Sequence, residues 1–132
     1  NQPFVIFNNI IYSNFNDYSS QKKALSHYLD THFSQFKVVY VGSLADRCYS
    51  LPTMRDVDLD LRGELSFKEL IVLFFADSLK GVLTFDTFIS HIGLLCGSKM
   101  YVVPKTKSTA ALIKSRFLPM LNLDRESLIW IE

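Results

Sequence analysis

Gly81-Val-Leu-Thr-Phe-Asp-Thr-Phe-Ile-Ser-His91 joins an apolar run to a carboxylate, a hydroxyl and, one helical turn later, an imidazole. Val82, Leu83 and Phe85 read as a strand, and Thr87 suits the N-cap of a helix over Phe88 to Cys96 that Gly97 closes. A buried strand is thus expected to hand over to a helix N-terminus. Backbone N–H groups left free there, together with the positive end of the helix dipole, favour a phosphate. In an open α/β sheet this is also the edge where ligands bind.

Working outward, strands and helices alternate. Phe4 to Phe7 is a short buried-strand signal, followed by a polar connection from Asn8 to Tyr18. From Ser19, the positions Leu25, Tyr28, Leu29, Phe33 and Phe36 recur at helical spacing. Lys37 to Val41 reads as a second strand ending at Gly42, and Ser43 to Arg55 as a loop with at most one irregular turn. Val57, Leu59 and Leu61 alternate with Asp58, Asp60 and Arg62, the pattern of a half-exposed strand near a sheet edge.

Ser66-Phe-Lys-Glu69 matches a capping box and opens a helix through Ala76. Beyond the opening stretch, Lys99 to Val103 predicts a strand closed by Pro104. Ser108 or Thr109 caps a helix to Leu118, and Leu128 to Ile131 is a last strand or a docking tail. The order β-α-β-loop-β-α-β-α-β-α-β implies right-handed βαβ units and a mainly parallel sheet covered on both faces. That is an α/β, Rossmann-like three-layer αβα domain.

Composition narrows the classes. A chain of 132 residues with 48% apolar residues can build a real core. Eleven Phe and six Tyr read first as core material. A net charge of +1 argues against nucleic acid as a partner, since no basic excess is available to neutralise phosphates. Cys48 and Cys96 lie far apart, so free thiols in a reducing, cytoplasmic setting are expected. No apolar run approaches the roughly 18 to 20 residues that span a bilayer. The first residue is Asn1, not Met, and residues 1–132 are expected to be one domain of a longer, two-domain chain.

Several residues are candidates for a site. Asp86, Thr87, Ser90 and His91 can surround a phosphate at the helix start, with Thr87 and His91 donating. The same residues also suit a purely architectural role, as cap, dipole partner and partly buried imidazole. Gly42 permits close approach of a ligand, and Asp46 in the loop after it can accept from ribose hydroxyls; the ordinary alternative is a solvated turn. Lys105 and Thr106, with Lys107, follow the later strand and can screen a pyrophosphate. His27 and His32, five apart, do not share a helix face, so no zinc site is expected. G-x-G-x-x-G, P-loop and G-x-S-x-G signatures are absent.

The series Leu61-Arg-Gly63-Glu-Leu-Ser66-Phe-Lys-Glu69-Leu70, then Ala76-Asp77, then Asp86-Thr87-Phe-Ile-Ser-His91 resembles the C-terminal half of the heptosyltransferases, glycosyltransferase family 9. There a Gly-x-x-Ser-Leu-x-Glu-Leu segment precedes a helix, and a strand ends in Asp-(Ser or Thr)-Gly-x-x-His. The likeness runs from about Val38 to Val103. It implies a GT-B enzyme of two Rossmann-like domains, this one binding a nucleotide-sugar donor such as ADP-heptose, without a metal or other cofactor. The acceptor would be a glycan or lipopolysaccharide core, at the inner face of the bacterial cytoplasmic membrane.

By the same resemblance, Asp86, Thr87 and His91 line the donor pyrophosphate and sugar, Asp46 reaches ribose, and Leu65 lies near the base. The general base would belong to the missing N-terminal domain, leaving this domain inactive alone. Phe88 stands where the family has Gly. The rival expectation is therefore a non-catalytic scaffold or interaction domain of the same fold, with Phe88 filling a degenerate pocket. A flavodoxin-like or receiver-type domain, the latter built on Asp46, Asp86 and Lys105, is a third, weaker alternative, because their spacing is poor.

Overall fold

The computed structural model describes residues 2–9, 19–48, 58–85, 87–104 and 128–131. Its elements are β1 (Phe4–Phe7), α1 (Ser19–His32), β2 (Lys37–Tyr40), a 3-10 turn (Leu44–Cys48), β3 (Leu59–Asp60) and α2 (Phe67–Phe74). They continue with β4 (Leu79–Phe85), α3 (Phe88–Leu95), β5 (Met100–Val103) and β6 (Leu128–Trp130). The helix expected from Ser108 or Thr109 to Leu118 lies outside the described residues.

The strands form a six-stranded sheet in the order β3-β2-β1-β4-β5-β6, and every neighbouring pair is parallel. This is the Rossmann order, in which the chain builds outward from β1 on one side and then restarts beside it with β4. Successive side chains of a strand point to opposite faces, so each strand feeds two cores. On one face, Val5, Phe7, Val38, Tyr40, Leu83 and Phe85 pack against Leu25, Leu29 and Phe33 of α1 and the segment after it. On the other, Ile6, Val39, Val82, Met100 and Val102 meet Phe74 of α2 and Ile89 and Ile92 of α3. The chain is thus an α/β, Rossmann-like three-layer fold.

Local chemistry sets the ends of these elements. The Ser66 capping box is complete: the Glu69 N–H donates to Ser66 Oγ at 3.1 Å, and the Ser66 N–H donates to Glu69 Oε1 at 2.9 Å. That second bond holds the Glu69 carboxyl below its ordinary pKa. β4 begins at Leu79, three residues before the apolar signal, and so includes Gly81. A Cβ at Gly81 would stand 2.8 Å from the Tyr101 ring, so only Gly lets β5 lie this close. β3 is confined to two residues and pairs only with β2, at the sheet edge.

Tyr40 is fully buried, its hydroxyl bonded to Asn9 Oδ1, and burial pushes its pKa up to about 12. Tyr in an unfolded chain titrates near 10. The folded state therefore holds its proton more tightly, and this contribution is complete below about pH 10. Stability should fall by about 2 kcal/mol as pH rises from about 10 to 12. Urea titrations across that window should show the loss in the native chain and not in Tyr40→Phe; parallel curves would exclude Tyr40 as its source.

Candidate functional site

A cleft of about 380 Å³ opens at the C-terminal edge of the sheet. Asn8 follows β1, Val41, Gly42 and Ser43 follow β2, Leu61 follows β3, and Thr87, Phe88 and Ile89 follow β4. The cleft therefore straddles the point where the strand order reverses, the position at which α/β sheets bind ligands. Its volume lies in the range of small-molecule sites. Asp46, Leu65, Phe67 and Leu70 complete the lining.

The α3 end supplies donors. The Thr87 backbone is extended (φ −136°, ψ −171°), which breaks the strand and starts the helix. The Ser90 and His91 N–H groups both donate to the Thr87 carbonyl, at 3.1 and 3.3 Å. The N–H groups of Phe88 and Ile89 donate to no carbonyl among the described residues, as expected of a first helical turn. Both residues line the cleft, so the start of α3, with the positive end of its dipole, borders it.

Asp46, only 5% exposed, forms the facing polar wall. Its Oδ2 accepts from the Ser43 N–H at 2.8 Å, which fixes the 3-10 turn across the end of β2. Gly42 makes room for it. A Cβ there would lie 2.2 Å from Asp46 Oδ2 and 3.0 Å from Asn8 Nδ2. Gly42→Ala is expected to displace the carboxylate and lower stability by about 1–2 kcal/mol, within the range for overpacking. Chemical denaturation checks the cost, and an unshifted midpoint would show that the site has slack.

Arg62 holds this loop from behind. It is 5% exposed, and its Nε and Nη2 grip both Asp60 oxygens at 2.9 and 2.7 Å, a bidentate fork. Nη1 donates to the Asp46 carbonyl at 2.6 Å, and the guanidinium centre stands 4.5 Å from the Tyr40 ring centroid. The bond to Asp60 raises its pKa further above an already high value, so it is charged at every relevant pH.

Of the expected site residues, Asp46, Leu65 and Thr87 come together around the cleft. The Thr87 hydroxyl turns back toward the Phe85 carbonyl at 3.5 Å. Ser90 is buried, and its hydroxyl donates to the Thr87 carbonyl at 2.6 Å while accepting from the Thr87 N–H at 3.1 Å. It closes the first turn of α3 and does not line the cleft. His91 is exposed and also stands outside the lining. Asp86, Lys105 and Thr106 lie outside the described residues. No Lys or Arg lines the cleft among the described residues.

From sequence, Phe67 opens a helix, and Phe88 departs from the family's Gly and, on the scaffold alternative, fills the pocket. Each is the first helical residue after an N-cap, on the same sheet edge, and their ring centroids are 6.0 Å apart. That matched position was the available signal. Phe88 is 61% exposed and is itself part of the cleft lining.

No protein-family model, curated protein or solved structure matches this chain.

Proposed function

We infer that the cleft binds a nucleoside diphosphate, and that the chain is the donor-binding domain of a nucleotide-sugar-dependent glycosyltransferase. The observation carrying the first part is a cleft at the strand-order reversal lined by Thr87, Phe88 and Ile89, the N-cap and first residues of α3. An anionic group fits that wall, and Asp46 across it can accept from sugar hydroxyls. The second part rests on the likeness of Asp86 to His91, with Gly63, Ser66 and Glu69, to the heptosyltransferase pattern. In such an enzyme the helix start would stabilise the leaving diphosphate, while a second domain presented an acceptor hydroxyl, in lipopolysaccharide core or a related glycan, at the cytoplasmic membrane surface.

A scaffold without nucleotide is the second reading. The engagement of Ser90 in the helix start and the cleft's mainly apolar walls favour it. Calorimetric titration with ADP, UDP and their sugar conjugates separates the two. Saturable binding of at least one below about 1 mM, a modest affinity of about 4 kcal/mol, is expected. Silence with all of them would leave the scaffold.

A further inference from the structure

We propose that Phe67 and Phe88 form a slot for the flat base of the ligand, so that the cleft selects nucleotides over base-free phosphates. The proposal rests on the nucleotide reading above and adds to it the feature by which the ligand is chosen. Phe is normally among the most buried residues, yet these two are 60% and 61% exposed and stand side by side. They come from different helices, α2 and α3, and both line the cleft. Their centroids are 6.0 Å apart with the planes tilted by 40°.

The surroundings discriminate among occupants. Besides the rings, the lining combines the apolar Leu61, Leu65 and Leu70 with the polar Asn8, Ser43, Asp46 and Thr87. Such a lining suits a molecule that carries both an apolar disc and polar, anionic groups, as a nucleoside phosphate does. A base stacked on both faces needs its two neighbours about 7 Å apart, twice the optimal carbon–carbon separation. Opening from 6.0 Å requires about 1 Å of movement, and rotation out of the 40° tilt, by two side chains that stand mostly in solvent.

Titration of the 132-residue chain with ADP and with inorganic pyrophosphate tests this. Phe67→Ala and Phe88→Ala should each weaken ADP binding by about tenfold or more, the scale of one base–aromatic stack. In Phe67→Ala, pyrophosphate affinity should stay within about twofold, and Phe67→Tyr should bind ADP like the native chain. Circular dichroism confirms that the variants fold, as expected for exposed rings. If native chain binds ADP and both alanine variants bind it equally well, the slot is wrong and the nucleotide reading stands. Equal native affinity for ADP and pyrophosphate would also overturn the slot. If native chain binds no nucleotide, the functional reading itself fails, and the slot with it.

Discussion

Arg62→Ala is expected to destabilise the protein by about 3–5 kcal/mol, the usual cost of removing one partner of a buried ion pair. Three losses combine. The Asp60 carboxylate, one-third exposed, loses its bidentate partner; the Asp46 carbonyl loses its 2.6 Å donor; and the Tyr40 ring loses the cation above it. Arg62→Lys should recover only part of this, because an ammonium cannot span both Asp60 oxygens and the carbonyl at once. Melting temperature is the measurement, and for a chain of this size the alanine variant should fall by about 10 °C or more. A melt within about 2 °C of native would mean that the loop supports itself. Because Asp46 belongs to both the network and the cleft, ligand affinity should drop along with stability.

Phe88→Pro is expected to bind pyrophosphate about 10- to 100-fold more weakly than Phe88→Ala. Both variants lack the ring, and they differ in the backbone N–H, which proline does not have. Proline is well accommodated as a first helical residue, and the Thr87 before it is extended, not helical, as proline favours in its predecessor. The helix should therefore survive while one donor disappears. A hydrogen bond to a charged group contributes roughly 1.5–3 kcal/mol, which sets the expected ratio. Equal affinities would show that the anion does not sit at the start of α3.

The alternation of strands and helices was legible because two-sided burial leaves short, nearly continuous apolar runs, as in Val5-Ile-Phe7 and Val38-Val-Tyr40. Ser66 and Thr87 marked their helix starts because a cap is a local matter of one side chain and the next turn. The half-exposed pattern around Leu59 correctly indicated an edge. Sequence could not reveal that Arg62 would bridge Asp60 and Asp46, since that depends on how the loop after β2 folds over β3. Nor could it reveal the Phe67 and Phe88 pair. Two of eleven Phe carry no mark of being partners, and their meeting depends on α2 and α3 sharing one face of the sheet. Ser90 shows the converse: a hydroxyl one turn past a cap can face a ligand or close the turn, and only coordinates decide which.

The two cores separate stability from recognition in a way that can be exploited. α1 covers the side of the sheet away from α2 and α3, and its outer positions, including Lys23 and Thr31, are exposed. A surface tether or fluorophore attached through a Thr31→Cys handle would leave the ligand mouth facing outward, which makes this helix the natural point of immobilisation.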